Sequence, residues 1–69
     1  MERQQVASST IESIGYNPIT AVLEIQFTHG DLYEYFMVPK STYLALLKAP
    51  SKGRFFGESI RDHFQFRRL

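Results

Sequence analysis

The sequence has no cysteine, so neither a disulfide nor a thiolate zinc site can reinforce the fold. A small cysteine-free domain suits a reducing cytoplasm, which is the expected compartment. Long hydrophobic runs are also missing. The longest, Tyr35 to Val38 and Tyr43 to Leu47, fall far short of the ~18 residues that a membrane span needs. The opening Met1-Glu2-Arg3-Gln4-Gln5 lacks the apolar core of a signal peptide. Nor is there a large excess of one charge: a net charge of +1 excludes a strongly cationic nucleic-acid coat protein. A soluble chain with no membrane contact is expected.

What is present is a short, aromatic-rich globular composition. Sixty-nine residues, 43% hydrophobic and 14% aromatic, allow one domain that hides only about 60% of the surface of its unfolded chain. Ten Phe and Tyr side chains supply large buried areas to so small a core. The domain is expected over 6–69, with 1–5 as a flexible N-terminus.

Apolar residues mostly alternate from Ile11 to Pro39 and recur every three or four residues from Ser41 onward. Leu23, Ile25 and Phe27 form one side of a strand, and Tyr33, Tyr35 and Met37 one side of the next, with a turn at His29-Gly30 between them. A two-residue loop would bury Glu34. A three-residue loop with Gly30 left-handed instead sets Tyr33, Tyr35 and Met37 beside Leu23, Ile25 and Phe27. It leaves Glu24, Gln26, Thr28 and Glu34 on the outer face, with Phe36 and Val38. A weaker strand over Thr10 to Tyr16 precedes this hairpin. Tyr43, Leu46 and Leu47 then mark a helix that stops before Pro50. Ser51 reads as the N-cap of a second helix carrying Phe56, Ile60, His63 and Phe64 on its buried face. The expected fold is α+β: a three-stranded antiparallel sheet followed by two helices packed on one face.

Charge is uneven along the chain. Residues 1–47 hold two cations and five anions, a balance of −3, and residues 48–69 hold six cations and two anions, a balance of +4. The last third is therefore the natural footprint for an anionic partner. Ser51-Lys52-Gly53-Arg54 places unpaired N–H groups, a glycine and two cations at a helix N-terminus, where a phosphate could sit. The plainer reading is an N-cap with two solvated cations. Arg54, Arg61 and Arg68, spaced by seven, would form a stripe opposite the buried helix face and could follow a phosphate backbone. Equally, Glu58 could simply bridge Arg54 and Arg61. Tyr33 and Tyr35 could stack on bases only if they faced outward, and the chosen register turns them inward.

No metal-ligand spacing links His29, His63, Asp31 and Asp62, and no serine carries the surroundings of an activated nucleophile. No cofactor and no enzymatic activity are expected. His63 is read as a core residue of the second helix.

Val6-Ala7-Ser8-Ser9-Thr10-Ile11, Ile14-Gly15-Tyr16, Tyr33-Glu34-Tyr35 with Val38-Pro39, Ala49-Pro50-Ser51-Lys52-Gly53 and Ile60-Arg61 together resemble the KTSC domain. That family occurs at the C-terminus of some lysyl-tRNA synthetases and as stand-alone short bacterial proteins. Asn17 and Gly57 stand where the family pattern suggests Asp and Asn. The resemblance implies no assigned activity, and RNA or a tRNA-handling protein as the partner. Two functions follow as expectations. One is a small non-enzymatic module that binds RNA weakly through Ser51, Lys52, Gly53, Arg54, Arg61 and Arg68. The other is a protein-interaction module without a nucleic-acid ligand. Four phosphate contacts, from Lys52, Arg54, Arg61 and Arg68, would give a slope of log affinity against log salt of about −3.

Overall fold

A computed structural model describes residues 2–69, ordered as β1 (Gln4–Gln5), β2 (Ile11–Asn17), β3 (Val22–Phe27), β4 (Leu32–Tyr35), α1 (Lys40–Lys48), α2 (Lys52–Ser59) and β5 (Phe66–Arg68). The strands form one antiparallel sheet in sequence order. The fold is α+β as expected, but with five strands rather than three. The two additional strands lie at the edges: Gln4–Gln5, within the segment expected to be flexible, pairs with β2, and Phe66–Arg68 pairs with β4.

The β3–β4 hairpin has the three-residue loop that parity requires. Phe27 N–H donates to Asp31 O and Gly30 N–H to Phe27 O, both at 2.9 Å, and Gly30 has φ +106°. A side chain at Gly30 would be strained in that left-handed conformation. Leu23 consequently faces Tyr35 and Ile25 faces Tyr33. Glu24 and Glu34 meet on the opposite face.

The inner face of the sheet carries the core: Ile11, Ile14, Leu23, Ile25, Phe27 and Tyr35, closed by Val38, Leu46, Phe56 and Ile60. Leu23, Ile25, Phe27, Tyr35, Phe56 and Ile60 are buried, as the expected inward faces require. Leu47 and Phe64 instead pack half-buried at its margin, and Leu46 takes the central place on α1. Val38 and Met37 exchange the roles expected of them. The strand stops at Tyr35, Met37 adopts φ +57°, and this left-handed residue reverses the alternation. Met37 is therefore exposed, while Val38 is fully buried with its N–H bonded to Ala21 O at 2.9 Å.

α1 ends at Lys48 before Pro50, and Ser51 caps α2 by accepting a hydrogen bond from Arg54 N–H at 3.3 Å. α2 ends at Ser59, much earlier than an arginine stripe reaching Arg68 requires. Phe56 O accepts from both Ile60 N–H and Arg61 N–H, and the chain turns through residues 60–64. The physical reason is the open edge of β4. Phe66–Arg68 gains a strand ladder there, extended by Phe36 N–H to Gln65 O and Leu69 N–H to Leu32 O, whereas a longer helix would leave that edge unpaired. His63 is thereby moved out of the core. It is exposed, and its Nε2–H donates to Glu58 O, 3.0 Å away, at the frayed end of α2.

Candidate functional site

The six residues singled out from the sequence separate into two groups. Ser51, Lys52, Gly53 and Arg54 stay together at the start of α2, and the first three share the lining of a polar recess of about 240 Å³ with Ser8, Ser9 and Thr10. Its polar groups are used internally. Ser8 Oγ accepts from Thr10 N–H and Ile11 N–H, Ser51 Oγ caps the helix, and Lys52 Nζ donates to Ala49 O at 3.1 Å. Arg54 Nε donates to Glu58 at 3.2 Å across one helical turn. Gly53 is explained by packing, since a Cβ there would lie 2.8 Å from Thr10 Oγ1 and 3.1 Å from Thr10 Cβ. The glycine lets α2 approach Thr10, just before β2, so close approach of an anion is not needed to account for it.

Arg61 and Arg68 are elsewhere. Arg61 lies in the turn after α2, and Arg68 lies on β5 opposite Tyr33. Strand alternation puts Phe66 and Arg68 on the helix-side face and sends Arg67 to the outer face, where Arg67 bonds to Glu34 at 2.8 Å. Among the described residues, neither Arg61 nor Arg68 forms an ion pair.

Beside Arg61 is a groove of about 250 Å³ lined by Phe27, His29, Tyr33, Tyr35, Phe56, Arg61 and Phe66. Its rings are ordered by contacts with one another. Phe56 meets Phe27 and Tyr35 edge to face at 5.1 and 5.5 Å, which fixes the floor. Tyr33 and Tyr35 lie nearly parallel, 18° apart with centroids 6.2 Å apart. Phe66 leans over both at 5.7 and 5.6 Å, and 55% of it is exposed. His29 stacks on Phe27 at 5.6 Å and sits 3.6 Å from Asp31. Burial pushes the Tyr35 phenol up to about 12, the neighbouring Tyr33 adds to the rise, and the Arg61 charge opposes it. The groove thus combines fixed π-faces with a cation, a pairing suited to a planar ligand attached to an anion.

A larger recess of about 500 Å³ opens beside β1 and is lined in part by Arg3, Tyr16, Asn17 and Tyr43. Its walls are engaged with the fold itself. Tyr16 and Tyr43 stack on each other at 4.7 Å, Tyr16 O–H donates to Val38 O at 2.6 Å, and Arg3 bonds to Glu24.

Sequence reasoning missed Phe66 and His29 as walls of the groove. On the wheel of the expected second helix Phe66 falls at the edge of the buried face, although Phe66-Arg67-Arg68 also alternates as a strand does. Tyr35 faces inward as expected, while Tyr33 is half-buried at the groove. No helix of the described residues is long and apolar enough to cross a membrane.

A family model described as the KTSC domain matches residues 7–64. An uncharacterized protein of Stutzerimonas stutzeri is 39% identical over 70 residues, covering 100% of this chain and 99% of its own length. A lysine–tRNA ligase of Nostoc punctiforme is 43% identical over 61 residues, covering 88% of this chain but only 11% of the ligase. The crystal structure of a KTSC domain protein from Yersinia pestis superposes with a TM-score of 0.93 at 45% identity, covering 99% of this chain and 96% of that one.

Proposed function

The chain belongs to the KTSC domain family, and from that premise and the geometry above we propose that it is a non-enzymatic module that binds single-stranded RNA weakly. The binding surface is the aromatic groove with Arg61 in its wall, together with Arg68 on β5, which pairs with Tyr33. The observation that carries this reading is the position of Arg61, a cation without an anionic partner among the described residues, in the wall of a groove built from aromatic rings. Aromatic faces bind unpaired bases by stacking, and arginine binds the attached phosphates. The presence of similar segments in lysine–tRNA ligases supports RNA, or a protein that handles tRNA, as the partner.

Lys52 and Arg54 drop out of the expected contact set because each is bonded within α2 or to the turn before it. Two phosphate contacts remain, so log affinity should fall against log salt with a slope of about −1.4 rather than −3. With so few contacts, an affinity near the ~10⁻⁴–10⁻⁶ M of non-specific binding is expected, and a second RNA-binding surface must be tethered nearby for tight capture. Fluorescence anisotropy of a labelled oligonucleotide across a salt series tests this. Arg61→Gln with Arg68→Gln should flatten the slope to near zero, and Lys52→Gln with Arg54→Gln should leave it unchanged. Absence of binding at about 50 mM salt, or a slope indifferent to Arg61 and Arg68, overturns the proposal.

Protein interaction is the second reading, and exposed apolar residues support it. Ile19, in the β2–β3 turn, is 93% exposed, and Met37, after β4, is 82% exposed. Binding through these residues would persist at high salt, which phosphate contacts would not.

A further inference from the structure

We infer that the aromatic groove holds one unpaired RNA base, stacked against Phe66 and Tyr33, with Arg61 receiving the phosphate attached to it. The inference rests on the RNA reading above and adds what that reading leaves open, namely the part of the nucleic acid that the rings contact. Three features of the groove support it. First, the wall is preorganised: Phe56 holds Tyr35 from below, Tyr33 lies parallel to Tyr35, and Phe66 leans on both. A base therefore meets rings already in place and immobilises little on binding. Second, the volume of about 250 Å³ lies below the ~300–1,000 Å³ of pockets for drug-sized molecules, a size that suits a ligand as small as a single base. Third, Phe66 is 55% exposed on an edge strand, so its ring is accessible at the mouth of the groove. A base covering it removes that exposed face from water.

The chemistry also selects the strand form. A base inside a duplex is already stacked and must be extruded at a cost of a few kcal/mol before it could enter, whereas an unpaired base is free to do so. No sequence code follows, because every base has a π-face.

The test compares octa-adenylate, the same oligonucleotide with abasic sites, and adenosine monophosphate, each as a ligand of the full chain. The abasic chain keeps every phosphate and should bind roughly tenfold or more weakly than octa-adenylate, with an unchanged salt slope. Adenosine monophosphate, which has the base but cannot also reach Arg68, should compete at least about tenfold less well than octa-adenylate. Phe66→Leu keeps an apolar side chain against Tyr33 and Tyr35 but removes the ring. It should abolish the difference between base-bearing and abasic RNA and leave the salt slope intact. Tyrosine fluorescence of the unaltered protein gives a reading independent of any variant: octa-adenylate should quench it and the abasic chain should not. Equal affinity for base-bearing and abasic RNA overturns the base pocket while sparing the backbone reading. Equal competition by the mononucleotide makes the groove a free-nucleotide pocket and overturns the RNA assignment, and failure to bind any of the three overturns both.

Discussion

Glu24 and Glu34 face each other directly across β3 and β4, two carboxylates in one register position. Such a pair repels unless it is neutralised. Each is met by an arginine from a different edge of the sheet: Arg3, just before β1, bonds to Glu24, Ser13 and Gln26, and Arg67 on β5 bonds to Glu34. The outer face is therefore a polar network in which both carboxylates are paired. The counter-charges thus come from the two edges of the sheet, Arg67 on β5 and Arg3 immediately before β1.

Arg3→Gln should destabilise the domain by about 1–3 kcal/mol, because Glu24 is only 8% exposed and would be left without its charge partner. Arg67→Gln should cost no more than ~1 kcal/mol, since the Arg67 side chain is 65% exposed. Adding Glu24→Gln to Arg3→Gln should recover most of the loss. Urea unfolding of the four proteins measures these differences.

Two glycines in α2 should respond in opposite directions. Gly53→Ala should destabilise by about 1–3 kcal/mol, because its Cβ meets Thr10 closer than real contacts allow. Gly57→Ala should stabilise by about 0.5–1 kcal/mol, since nothing lies within 4 Å of its Cβ and alanine is the better helix former. Thermal melts distinguish a fall from a rise in Tm.

Phe56→Ala should cost about 3–5 kcal/mol and unfold most of the population. Phe56 joins α2 to the sheet through both Phe27 and Tyr35. Loss of the cooperative transition in near-ultraviolet circular dichroism is the expected observation.

Alkaline pH should weaken the fold through Tyr35. Its folded-state pKa is raised to about 12 from an ordinary value of 10.0, so its contribution is fully present below pH 10 and is lost as pH rises through 12. Two units correspond to about 2–3 kcal/mol. The stability difference between Tyr35→Phe and the unaltered protein should shrink, or reverse in favour of phenylalanine, between pH 9 and pH 12.

The central hairpin was legible in the sequence because two independent constraints agree there: alternation set the faces, and Gly30 set the loop length. Ser51 and Pro50 likewise marked the helix boundary through chemistry confined to a few residues. The edge strands were hidden for physical reasons. Gln4–Gln5 carries no hydrophobic period at all. Phe66-Arg67-Arg68 fits a strand and a helix equally well over three residues, and only the unpaired edge of β4, a tertiary fact, decides between them. The spacing of Arg54, Arg61 and Arg68 by seven therefore did not define a surface. The groove was hidden for the same reason, since Phe66 reaches Tyr33 only through that strand pairing.

The most direct test of the binding surface is an amide chemical-shift titration of the isotope-labelled protein with octa-adenylate at low salt. The account predicts shifts at Tyr33, Arg61, Phe66 and Arg68, with Ser13, Glu24 and Gln26 on the outer face unmoved. Shifts confined to Ser8–Thr10 and Ser51–Arg54, or to Ile19 and Met37, or the absence of any shift at saturating RNA, would contradict it.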